Sequence, residues 1–235
     1  MPQQPEDAPR ARIRWWFLLI AVAFLAVAVF GGIRIYAAQR DAAAPDPAEA
    51  TQEAEVPVEP AESIDGAWVL AEGSEAGYRV EEVLGGEDVT VVGRTEAVTG
   101  ELEVSGGSVT DGEVVIDLRE VRTDSAQRDE YFATRAVDTS EHPEAGFVLT
   151  GPVDLADLAE STGIMQVTAQ GVLSINGVEN DAEVVLDVVR EQNRLTVAGA
   201  VPAVWADFDV QAPDLGFVSV EDEGALELSL VFERA

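Results

Sequence analysis

The sequence contains no cysteine, no lysine and a single histidine, His142. Without cysteine there are no disulfides, no thiol catalysis and no thiolate metal sites. One histidine is too few for the usual imidazole metal centres. The fourteen basic side chains are all arginine, set against 45 acidic ones, and the formal net charge is −31. So acidic a surface repels phosphodiester backbones, which excludes nucleic acid as a partner. It also repels anionic lipid, so contact with a membrane needs a mechanical anchor. Aromatic residues are scarce at 6%, yet 47% of the 235 residues are hydrophobic, enough to build a sizeable core.

The anchor is visible near the start. Trp15 to Ile33 runs nineteen residues without a charge. At about 1.5 Å per residue a helix of that length crosses a hydrocarbon core of about 30 Å. Trp15, Trp16 and Tyr36 suit the two interfaces, and Arg10, Arg12 and Arg14 place the N-terminus in the cytoplasm. The competing reading is a signal peptide cleaved near Ala42–Ala44, although its apolar region is usually only about 7–15 residues long. The expected organisation is a cytoplasmic tail (1–14), a transmembrane helix (15–36), a disordered Ala/Pro/Glu linker (37–62) and an extracytoplasmic domain (63–235). By random-coil scaling the linker has an r.m.s. span of about 28 Å, more if its charges extend it.

From Ile64 onward the hydrophobic pattern has period two. It predicts nine strands: 77–84, 89–94, 98–104, 108–118, 146–153, 165–175, 178–189, 194–203 and 225–232. Asn176-Gly177 is a type I′ hairpin signal, since both central residues of that turn need positive φ. The spacing is too close for crossover helices, so the sheet is antiparallel. Long strands with repeated glycines favour a closed barrel over a flat sandwich, with one short helical insertion between residues 118 and 146. Asp124 and Gln127 have the spacing of a capping box for that helix. An eight-stranded barrel is either filled by its own side chains or hollow enough for one small ligand, and the pattern alone leaves both open.

Several blocks, in order, resemble the YceI-like family of extracytoplasmic proteins. They are Ser74–Val83, Val92–Glu101, Val115–Asp129 with its Arg-Asp pair, His142–Leu149, Gly171–Val188 with a G-x-L-x-x-x-G-V hairpin, and the closing run Glu227–Glu233. Glu130, Tyr131 and Phe132 depart from the basic or polar residue and Leu that commonly follow the family's Arg-Asp. The resemblance implies an up-and-down, lipocalin-like barrel that binds a polyisoprenoid lipid such as a quinone, carotenoid or prenyl phosphate.

Phe132, Phe147, Leu149, Leu173, Ile175, Leu186, Trp205, Phe208, Leu228 and Leu230 are the candidate inward or mouth-lining residues. Arg128, Asp129 and His142 are the polar candidates for the mouth, although each also has a structural reading: an ion pair pinning the helix, and a turn before Pro143. A hydrolase using His142 with Ser140 or Ser125 and Asp138 lacks a G-x-S-x-G elbow. No enzyme, metal or cofactor is expected beyond a bound isoprenoid lipid. Carboxylate pairs such as Asp207/Asp209 arise by chance among so many acids. The expected partners are that lipid and the cytoplasmic membrane, with a homodimer left open. The rival reading is a ligand-free structural or interaction module of the cell envelope.

Overall fold

Alternating apolar and polar side chains along most of residues 63–235 drive the chain into one antiparallel sheet of eleven strands. The strands are β1 (Gly66–Leu70), β2 (Glu75–Leu84), β3 (Glu87–Thr95), β4 (Val98–Ser105), β5 (Ser108–Asp117), β6 (Glu144–Leu149), β7 (Val153–Asp154), β8 (Met165–Ile175), β9 (Val178–Glu191), β10 (Arg194–Val204) and β11 (Val218–Arg234). One helix, α1 (Ala126–Tyr131), lies between β5 and β6 and runs into a π-turn over Phe132–Ala136. The computed structural model describes residues 63–235 apart from 160–162, 192, 215 and 217. The expected tail, transmembrane helix and linker lie outside the described residues. Among the described residues no helix is long and apolar enough to cross a membrane.

Eight strands close a ring: β4, β5, β6, β8, β9, β10, β11 and β1. The closing piece is β1, only five residues long. It pairs with β4 through Gly66↔Val104 and with β11 through Trp68↔Arg234 and Leu70↔Phe232. The sequence pattern did not predict it, because five residues are too few for an alternation to stand out. At 17 residues, β11 is long enough to serve two partners along one edge. Its last residues take β1, and its earlier ones, from Val218 to Ser229, take β2. The β2–β3 hairpin therefore interrupts the simple up-and-down order. On its other side the one backbone pairing of β3 among the described residues is the bridge Arg94↔Arg122, made of two hydrogen bonds of 2.9 and 2.8 Å.

The core divides along the strands. One cluster holds Val167, Val188, Leu195, Phe232 and Trp68 with Leu155 and Leu158. The other takes the opposite halves of the same strands, Leu173, Val184 and Val201, together with Val121, Val137, Trp205 and Phe208 near the helix. Asn176 and Gly177 adopt φ of 53° and 76°, the left-handed pair that the hairpin signal requires. The capping box does not form. Ser125 occupies the N-cap without a side-chain bond, and Asp124 pairs with Arg128 at 3.0 Å across one turn.

Candidate functional site

Inward residues of a closed sheet either fill its centre or line a space. Here they line one, a cavity of about 180 Å³. Phe147, Leu149, Leu186 and Leu228 keep part of their surface exposed although their neighbours Val148 and Glu227 occupy the opposite face, because they look onto this space. Glycines hold the space open. A Cβ on Gly171 would lie 2.3 Å from the Phe147 ring, and one on Gly199 would lie 2.8 Å from Leu186 Cδ2. Phe147 and Leu186 thus lie down against bare backbone on the neighbouring strand instead of reaching across the lumen.

The wall is apolar. Among the described residues, Tyr78, Glu113 and Glu227 are the only lining ones whose side chains carry polar atoms. Glu113 is exposed and alternates with inward Gly112 and Val114. Glu227 alternates with inward Leu226 and Leu228, and its carboxylate turns outward onto Arg79 at 2.6 Å and onto Arg94. These two glutamates contribute backbone, which leaves the Tyr78 phenol as the sole polar side-chain group on the wall. The Tyr78 ring lies over Gly93, where a Cβ would come within 2.4 Å of it, and stacks on Phe132 with centroids 5.3 Å apart and planes 18° apart. Burial pushes the phenol up to about 12; Asp129 and Glu82 act in the same direction, while Arg128 opposes them.

Eight of the ten apolar candidates line the cavity: Phe132, Phe147, Leu149, Leu173, Ile175, Leu186, Leu228 and Leu230. Trp205 and Phe208 do not. Inward positions on β10 are Leu195, Val197, Gly199, Val201 and Ala203, and Trp205 would come next, but the strand ends at Val204. The chain turns there into a short 3-10 helix, and the Trp205 ring packs on Gly224, whose Cβ would come within 2.4 Å of it. Lining residues that sequence reasoning passed over include Tyr78, Val114, Ile116, Ala169, Leu195 and Val197. The alternation of β5 and β10 carried a signal for most of them. Tyr78 was hidden by the charged residues around it.

None of the three polar candidates lines the cavity. Arg128 reaches Glu82 on β2 at 3.5 Å and Asp124 at 3.0 Å. Asp129 accepts from the Thr123 amide at 2.8 Å and from its hydroxyl at 2.7 Å. Both tie α1 down. His142 donates its backbone N–H to the Asp138 carbonyl at 2.7 Å, and its ring packs on Gly177 of the β8–β9 turn. The Ser140 hydroxyl donates to the Asp138 carboxylate at 2.6 Å, which holds that carboxyl below its usual range. Among the described residues no group of three or more His, Asp or Glu could hold a metal ion. Replacing Asp129 by Ala removes two hydrogen bonds to a carboxylate. Stability is expected to fall by about 1–3 kcal/mol, and exchange of the Thr123 amide should accelerate in hydrogen–deuterium NMR.

A family model described as the YceI-like domain matches residues 68–232. The chain belongs to the YceI-like family. The match spans the ring from Trp68 in β1 to Phe232 in β11. The fold is shared with a polyisoprenoid binding domain from Saccharophagus degradans, with a TM-score of 0.58 and 19% identity, over 72% of this chain and 99% of that one. It is also shared with BcnA of Burkholderia cenocepacia, with a TM-score of 0.52 and 19% identity, over 66% of this chain and 95% of that one. No curated protein matches the sequence.

Proposed function

We propose that this YceI-like chain is a membrane-tethered, non-enzymatic barrel that holds an isoprenoid-type lipid in its lumen outside the cytoplasmic membrane, as a carrier or reservoir. The observation that carries the reading is the cavity wall, apolar throughout except for one phenol. Such a space offers water almost no hydrogen-bond partners, so apolar cavities of this kind stay dry. A hydrocarbon chain, by contrast, gains about 0.8 kcal/mol for each CH₂ it buries there. The lipid class is supported by the Saccharophagus degradans neighbour, itself a polyisoprenoid binding domain. The tether is supported by the uncharged run from Trp15 to Ile33, which precedes the barrel. No step of this role requires an activated nucleophile or an acid–base pair.

The test is direct. The chain is purified from a bacterial envelope, weighed by native mass spectrometry, and extracted with organic solvent. A stoichiometric adduct of several hundred daltons that extracts as an isoprenoid is the expected result. A clean apo mass, unchanged after incubation with quinones and prenols, overturns the reading and favours a ligand-free envelope module.

A further inference from the structure

Resting on that reading, we propose that Tyr78 is a head-group subsite, where the phenol donates a hydrogen bond to a neutral acceptor oxygen at one end of the lipid. The geometry thereby selects a prenyl lipid ending in a carbonyl over a pure hydrocarbon or a prenyl phosphate. Four observations converge. With Glu113 and Glu227 turned outward, Tyr78 is the one lining residue among those described whose side chain brings a polar group to the wall. Its hydroxyl meets no hydrogen-bond partner among the described residues, yet that oxygen is not sealed from the space beside it. A donor that looks onto a dry apolar space finds no water there, and a ligand oxygen supplies the missing partner. The ring is fixed between the backbone of Gly93 and the face of Phe132, so the donor is held in place before the ligand arrives.

The charges around the phenol decide what kind of acceptor fits. One cation and two anions, Arg128, Asp129 and Glu82, act on it electrostatically. The cation is already engaged by Glu82 and Asp124. A phosphate arriving here would meet net negative charge with no free arginine. A carbonyl oxygen needs only the donor. The subsite also sets a direction. Tyr78 and Phe132 belong to the cluster near α1, so the head lies at the helix end and the tail runs toward Leu195 and Phe232 in the other cluster.

The experiment compares two probes on the full-length chain and on its Tyr78→Phe variant, which keeps the ring and its stack. One probe is farnesylacetone, a prenyl methyl ketone labelled with carbon-13 at the carbonyl. The other is the hydrocarbon of the same skeleton. Bound fractions are read by native mass spectrometry across a titration, and the labelled carbonyl stretch by infrared difference spectroscopy. The ketone is expected to bind the Tyr78→Phe variant about tenfold more weakly than the native chain, which corresponds to about 1.4 kcal/mol. Hydrocarbon binding is expected to change less than twofold. The carbonyl band should move to lower frequency in the native complex and not in the variant. Equal ketone binding by both proteins, with an unshifted band, overturns the subsite while leaving lipid binding intact. Farnesyl phosphate is titrated into the native chain as a third probe, and its binding more tightly than the ketone overturns the neutral head group. Failure of both the ketone and the hydrocarbon to bind the native chain overturns the lipid reading and the subsite together.

Discussion

Ala169→Phe is expected to abolish lipid retention while leaving the barrel folded. Ala169 lies on β8 between inward Val167 and Gly171, is 3% exposed, and lines the cavity. A phenyl group there has one direction to grow, into the lumen. Filling empty apolar volume is favourable by about 24 cal/mol per Å³, whereas overpacking costs about 1–3 kcal/mol where the ring meets a wall. These oppose each other, so the net change in stability should be small beside the loss of binding. In native mass spectra the adduct should fall below about a tenth of its native occupancy, the effect of roughly 1.4 kcal/mol or more in competition for the space. Leu173→Arg would also block the lumen, but it buries a charge without a partner and risks the fold, which makes Ala169→Phe the cleaner test. A folded Ala169→Phe protein with undiminished adduct would place the lipid elsewhere.

Trp68→Ala should produce the largest loss of stability of any single truncation in the barrel. The side chain is fully buried at 0% exposure, and its indole N–H donates to the Ile64 carbonyl at 3.0 Å. The Arg234 guanidinium sits 5.2 Å from the ring centroid. Truncating a buried Trp to Ala costs about 3–5 kcal/mol, and the lost cation–π contact adds about 0.5–1 kcal/mol. For a domain of this size, that lowers the melting temperature by about 10 °C or more. Trp68 also stands at the centre of β1, paired with Leu102 on one side and Arg234 on the other, so the damage falls where the ring closes. Thermal unfolding followed by far-ultraviolet circular dichroism would measure it. A drop of less than about 3 °C would show that the ring closes without Trp68.

The barrel and most of its lining were legible because alternation is a long-range pattern. β8 runs Val167, Ala169, Gly171, Leu173, Ile175 on one face without a break, and that face is the wall. β11 was legible only from Ala225 because the run Glu221-Asp222-Glu223 falls in a register shift between Val220 and Gly224. The alternation of β10 extrapolates onto Trp205, and no residue there announces that the strand stops at Val204. The helix was legible as an interruption, but its cap was not. Asp124 is taken up by Arg128, and an acceptor from within the helix, Asp129, takes the Thr123 N–H. Tyr78 was illegible as a site residue because its role depends on what surrounds it in space. Only the assembled wall shows that its hydroxyl has the lumen to itself among side-chain polar groups.

The Arg94↔Arg122 bridge gives the barrel an uneven resistance to breathing. Along β8 and β9 eleven residue pairs hold the two strands together, from Met165↔Val188 to Ile175↔Val178. On the outer edge of β3 two backbone hydrogen bonds do so. At a net 0.5–1.5 kcal/mol each, parting that edge costs about 1–3 kcal/mol in hydrogen bonds, a small fraction of what separating a full ladder requires. Fluctuations sample the cheapest opening first. The amides of Arg94 and Arg122 are therefore expected to exchange with solvent by local opening, well before those of the β8–β9 ladder, which wait for the whole sheet to come apart.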